Sequence, residues 1–209
     1  MKQHPLLMKG PLVRATLEGR KTVTRRLDTR WLKAKPCDLI WVKETWRTVA
    51  SLDRSSASKI AQSATDAGYR RPWAPIEYVA DSHRDNWLDN FDGQGEPKPG
   101  RTRVSIHMPK WASRLWLEVV TVRAERLQDI TEEDARREGI FQDGAGAWRG
   151  FLDEVNGRWT THGTAREAFR DLWWSIHGNE EGHRWDDSPT VVRIEFKRAE
   201  RPALEAARG

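Results

Sequence analysis

The chain has a single cysteine, Cys37, in 209 residues. That excludes an internal disulfide and any zinc site built on several cysteines. No apolar run approaches the length of a membrane span, so no membrane partnership is expected. The amino-terminal residues lack a signal-peptide core, and the expected location is the cytoplasm. There is no glycine-rich phosphate loop, no βαβ rhythm and no internal repeat, which sets aside doubly wound nucleotide-binding folds and solenoids.

What is present is polar. Charged residues make up 32% of the chain against 37% hydrophobic, so its twelve tryptophans must supply much of the core. The net charge of +5 is concentrated near the start. Residues 1–35 hold ten Lys or Arg against only Glu18 and Asp28, so the remaining residues are net acidic. A basic excess of this kind suits an anionic or nucleic-acid-like ligand.

Its centre is Gly19–Arg26, G-R-K-T-V-T-R-R. Here Thr22 and Thr24 lie among Arg20, Lys21, Arg25 and Arg26. Cations beside Lys21 disfavour its charged form and should lower its pKa. A neutral lysine can act as a base, and a threonine hydroxyl becomes a useful nucleophile when a base sits beside it. The alternative is a basic strand that holds a phosphate or faces water. In one regular strand Lys21 and Thr24 would point to opposite faces, so a shared site requires Lys21 in the preceding turn or a bulge between them.

Strands are expected at His4–Met8, Leu39–Trp46, Ile76–Ala80, Leu115–Leu127 and Thr190–Phe196, with Pro109 breaking a strand within Arg103–Trp116. Gly10-Pro11 opens a short helix that Gly19 stops. Thr131 caps a second helix ending at Glu138, before Gly139. The third spans Thr164–His177, with Phe169, Leu172, Trp173 and Ile176 on one face. Residues 50–75 carry no clean period and read as an insertion. Residues 82–100 read as a long loop, residues 141–163 as irregular, and the tail after Lys197 as frayed. About six strands and three helices favour an α+β fold with a small, strongly curved sheet or barrel.

Read in order, G-R-K-T-V-T-R-R, W-V-K-E-T-W, Y-V-A-D, S-I-H-M-P-K-W-A-S-R, L-Q-D-I-T-E-E-D-A-R-R-E-G, F-R-D-L-W and V-V-R-I-E-F resemble an ASCH-domain protein of the phage and prophage type. The likeness covers about Pro5 to Phe196, as one domain (5–197) interrupted near 50–75, 84–102 and 141–163, with a tail at 198–209. The resemblance implies a PUA-like β-barrel with flanking helices. Small bacterial members remove the acyl group from N4-acetylcytidine, using a lysine and a threonine of G-R-K-T-x-T and a glutamate at the end of the helix after the long strand. The matching positions are Lys21, Thr24 and Glu138. Other ASCH proteins are ribonucleases or RNA binders. The long insertions and Arg25-Arg26 depart from the compact enzymes.

Further candidates lie outside this trio. Glu44, between Trp41 and Trp46, reads either as a salt-bridge partner of an arginine or as a pocket acid for a base edge. Trp41, Trp46 and Trp111 could stack a nucleobase. His107 reads as an acid or base, or as a structural hydrogen-bonder. His177, His183, Asp186 and Asp187 match no metal-ligand spacing, so neither metal nor cofactor is expected. The leading expectation is an amidohydrolase acting on an N4-acylated cytidine nucleoside: Thr24 attacks, Lys21 is the base and Glu138 the acid/base. Arg20, Arg26, Glu44, Trp46, His107 and Trp111 would hold the substrate. The alternatives are a binding module for RNA or single-stranded nucleic acid, and a metal-independent ribonuclease.

Overall fold

A computed structural model of the chain describes residues 1–87, 96–153, 158–178 and 180–202. In chain order the elements are β1 (Gln3–Leu7), α1 (Gly10–Leu17), β2 (Val23–Arg26), β3 (Leu39–Lys43), β4 (Trp46–Arg47), α2 (Ala57–Asp66), β5 (Ile76–Tyr78) and β6 (His83–Asp85). They continue with β7 (Trp116–Arg126), α3 (Glu132–Arg137), β8 (Phe141–Gln142), β9 (Trp148–Asp153), β10 (Arg158–His162), α4 (Ala165–His177) and β11 (Thr190–Ala199). The fold is mixed α+β, as the sequence suggests. Among the described residues no sheet closes into the expected barrel. No helix there is long and apolar enough to cross a membrane.

The chain divides into two compact units. One comprises Met1–Lys2, Ala15–Leu39 and Leu117–Arg198. In it β7, β11 and β2 lie side by side in that order. β2 and β11 are antiparallel, with Thr24 opposite Ile194 and Arg25 opposite Arg193. A second sheet, β10-β9-β8, is antiparallel throughout. The helix α4 packs on β9 and β10 and also meets α3. Its Thr164 and Glu167 form a reciprocal capping box, and its buried stripe is Ala165, Ala168, Phe169, Leu172 and Trp173. Helix and sheet come so close that a Cβ on Gly150 of β9 would lie 2.1 Å from the Ala168 carbonyl oxygen.

The other unit comprises Gln3–Arg14, Ile40–Trp116 and Ala199–Gly209. There β1 lies beside β3, and β4, β5 and β6 form a small antiparallel sheet. Its core gathers Trp46, Ile76, Tyr78, Met108 and Ala112. Tyr78 anchors its hydroxyl on the Ala112 carbonyl at 2.9 Å, satisfying the one polar atom that its burial would strand.

Several expectations are corrected. The featureless 50–75 segment contains α2, capped by Ser56 and burying only Ile60 and Ala64. That stripe is too narrow to show as a period. The irregular 141–163 segment contains the β8, β9 and β10 strands. Residues flanking Pro109 form short 3-10 turns, Ser105–His107 and Lys110–Ala112, rather than a broken strand. The closing strand runs on to Ala199. Positions 88–95 and 154–157 of the expected loops, and 203–209 of the expected tail, lie outside the described residues.

Candidate functional site

Lys21 sits in the short link between α1 and β2, outside the regular strand. Its amide donates to the Ala15 carbonyl at 3.0 Å, and its backbone forms an isolated antiparallel bridge with Glu138. The next amide, Thr22, donates to the Arg137 carbonyl at 2.8 Å. The end of α3 is thereby tied to the basic turn. Gly139, at φ 102, turns the chain away immediately after Glu138, a conformation that an L side chain resists. A Cβ there would also approach those of Ala15 and Lys21, at 3.0 and 3.4 Å.

This backbone frame brings the two side chains together. Lys21 Nζ donates to Glu138 Oε2 at 2.6 Å, to the Glu138 carbonyl at 3.0 Å and to the Val23 carbonyl at 2.8 Å. Those three acceptors use all three ammonium protons. Lys21 is 2% exposed, Glu138 3% and Thr24 3%. Burial pushes the Lys21 ammonium below its ordinary value. The charge and hydrogen bond of Glu138 pull it back, while Arg26 and Arg25 push it further down. The lowering expected from the sequence therefore has burial as its main cause, and Arg26 takes the place of Arg20 among the cations.

Thr24 lies in β2, opposite Ile194 of β11. Among the described residues its hydroxyl has no hydrogen-bond partner.

The sequence reading missed what holds Glu138 from the other side. Arg25 points the opposite way from Thr24 along β2 and is buried. Its guanidinium donates to Glu138 Oε1 at 3.1 Å, to Glu125 Oε1 at 2.8 Å and to Asp134 Oδ2 at 2.6 Å. Its carbon end lies 5.9 Å from the centre of the Phe169 ring. Arg193, directly across the sheet from Arg25, would repel it. Asp134 resolves that conflict, taking Arg193 Nε at 2.8 Å and Nη2 at 2.9 Å alongside Arg25. Hydrogen bonds from Arg193 hold the Asp134 carboxyl well below the usual range; Arg25 adds to this and burial opposes it. Glu195 closes the network, accepting from Arg137 at 2.6 Å and Arg193 at 3.2 Å. Two signals were open to sequence reading: Asp134 and Glu138 are four residues apart on one helix, and Arg193 and Glu195 share a strand face.

The remaining predicted residues are placed as follows. Arg20 is held by Glu18 and by the Gly139 carbonyl at 2.9 Å, with its guanidinium 5.0 Å from the Phe141 ring centre. Arg26 is half-buried and within electrostatic reach of both Lys21 and Glu138. These two share a unit with the trio, whereas Glu44, Trp46, His107 and Trp111 belong to the other unit. Glu44 is fully buried and gripped by Arg114 through two bonds of 2.9 Å each. Burial nevertheless raises its pKa, the Arg114 contacts opposing. Trp46 is wholly inside the core, with Trp111 edge-on at 6.3 Å and the Arg103 guanidinium over its ring. A base could stack on Trp46 only by displacing these neighbours. His107 is exposed at the end of its 3-10 turn. His183 faces Glu180 at 3.0 Å, and Asp187 is taken by Arg184.

The site is thus a buried lysine–glutamate pair clamped by Arg25, with Thr24, three residues on from Lys21 in β2, keeping an uncommitted hydroxyl. No protein-family model matches the chain, and no curated protein or solved structure matches it either.

Proposed function

We propose that this chain is an ASCH-type amidohydrolase on a PUA-like fold, removing an N4-acyl group from a cytidine-type nucleoside. The observation that supports the reading is the Lys21–Glu138 contact of 2.6 Å, formed across 117 residues of sequence, with Thr24 in the strand that follows Lys21. The reaction begins when a proton passes from Lys21 to Glu138 and leaves a free amine, a change that burial of Lys21 promotes. Lys21 then takes the Thr24 proton as Oγ1 attacks the amide carbon, and Glu138 gives its proton to the departing exocyclic nitrogen. The free cytidine leaves and an ester remains on Thr24. Glu138, now a carboxylate, accepts a proton from the water that attacks this ester, and the Lys21 ammonium returns one to Thr24. The acid is released and the neutral pair is restored. Arg26 supplies positive charge near the developing oxyanion. Thr24 is 3% exposed, so substrate entry has to part the elements covering it.

A non-catalytic nucleic-acid module is the second reading, favoured by the full engagement of the three Lys21 protons, as in a structural ion pair. Incubating the protein with a panel of N4-acylcytidines, and following loss of the acylated-base absorbance, separates the two. The hydrolase reading expects turnover in the wild type and its loss in Lys21→Arg, because a guanidinium does not give up its proton. Absence of turnover across the panel overturns it.

A further inference from the structure

The unit containing Ile40–Trp116 has a cavity of about 600 Å³ that includes none of the trio. The first residues of α2 line one part of it, and Arg101, Arg103 and His107 line another. Hydroxyl residues Ser56, Ser58 and Thr102 complete its polar wall, and no carboxylate lines it.

Neither arginine there makes a salt bridge among the described residues, although the Asp53 carboxylate lies within electrostatic reach of Arg103. Among the described residues the Arg101 guanidinium has neither hydrogen bond nor ion pair; only its backbone amide is engaged, by Asp53. Arg103 gives Nη1 to the Ser55 carbonyl at 3.0 Å and Nη2 to the Leu52 carbonyl at 2.8 Å, both neutral acceptors. Its Nε–H is buried without an acceptor, and its guanidinium carbon lies 5.4 Å from the Trp46 ring centre. Burial, and then the nearby Arg101, lower the Arg103 pKa, with Asp53 opposing. Two like charges are therefore held beside a hollow lined by donors. An arrangement of this kind favours an anion in the hollow.

We propose that this cavity binds the phosphate of a small organic phosphate of mononucleotide size. Guanidiniums match phosphate oxygens in fork geometry, and the amino end of the ten-residue α2 adds partial positive charge on the same wall. The volume falls within the range of small-molecule sites and exceeds what a lone phosphate fills. Val104 and Ala57 give the lining an apolar part for the organic portion. The site involves none of Lys21, Thr24 or Glu138, so it stands or falls separately from the amidohydrolase reading.

Calorimetric titration of the full chain at low salt, with cytidine 5′-monophosphate, cytidine and inorganic phosphate, tests the proposal. The monophosphate should bind once per chain, at least about tenfold more tightly than either other probe. Arg101→Ala should weaken it about tenfold, the size of one lost charge-assisted contact. Arg101 is exposed, so the fold survives, as a thermal melt would verify. Ser58→Glu places a carboxylate at the cavity wall, in a first helical turn that tolerates it, and should abolish binding. Equal affinity for cytidine and its monophosphate, equal affinity for inorganic phosphate, no binding at all, or wild-type affinity in both variants would each overturn the proposal.

Discussion

Lys21 and Glu138 meet as a buried ion pair, with Nζ 2.6 Å from Oε2 and side chains 1% and 4% exposed. A pair so enclosed is costly to assemble and more costly to break. Glu138→Ala leaves the Lys21 ammonium with two carbonyls and no counter-charge. It should lower unfolding free energy by about 3–5 kcal/mol in urea titrations. Adding Lys21→Met should recover part of that loss, so that the double variant falls short of the summed single costs by about 0.5–3 kcal/mol. Strict additivity would mean that the two groups do not interact.

Asp134 makes the acid side of the stability profile. Its carboxyl is held below its ordinary value of 3.8, foremost by hydrogen bonds from Arg193. Below 3.8 the unfolded chain therefore binds a proton that the folded chain refuses. The contribution is complete above that value and drains away as pH falls toward the lower, folded value. Wild type should exceed Asp134→Asn by about 3–5 kcal/mol at neutral pH, with the gap closing below about pH 4. Urea midpoints measured across that range give the answer, and a gap independent of pH would exclude Asp134 as its source.

Packing between β9 and α4 rests on one missing methyl group. A Cβ at Gly150 would stand 2.1 Å from the Ala168 oxygen and 2.7 Å from its carbonyl carbon, both backbone atoms that cannot swing aside. Gly150→Ala should therefore cost at least about 1–3 kcal/mol. Differential scanning calorimetry reads this directly; an unchanged melting temperature would mean that the helix shifts freely on the sheet.

These relationships differ in how far the sequence announces them. The ends of α1, α3 and α4 are legible because Gly19, Thr131 and Gly178 act locally, each through its own backbone or side chain. The helix α2 escapes because a Ser- and Ala-rich segment with two buried residues offers no apolar stripe. Strands β9 and β10 escape because Gly144 and Gly146 make their surroundings read as loop. At the site, the candidate residue types are legible and their partners are not. Thr24 and Lys21 stand out by residue type, and Glu138 by the resemblance. Arg25, by contrast, looks like one more cation in a run until Glu125, Asp134 and Glu138 converge on it from 100, 109 and 113 residues away. The pairing of Glu44 with Arg114 likewise spans 70 residues.

Thr24 offers the cleanest separation of chemistry from architecture. Its hydroxyl contributes no hydrogen bond among the described residues, so Thr24→Val exchanges that group for a methyl of similar shape without orphaning any partner. The fold should keep its stability to within about 1 kcal/mol, because the exchange keeps the shape of the side chain and orphans no partner. A hydrolase built on Thr24 should nonetheless lose its turnover of N4-acylcytidine by about 10²–10⁴-fold or more, while affinity for the acylated nucleoside stays near the wild-type value. Thr24→Ser should restore much of the rate, since it returns the nucleophile and removes only a methyl. Steady-state kinetics with unfolding measured on the same samples reads both quantities together. A stable, substrate-binding Thr24→Val protein that still hydrolyses its amide would remove Thr24 from the mechanism. Loss of rate accompanied by loss of stability would show instead that the hydroxyl holds the fold.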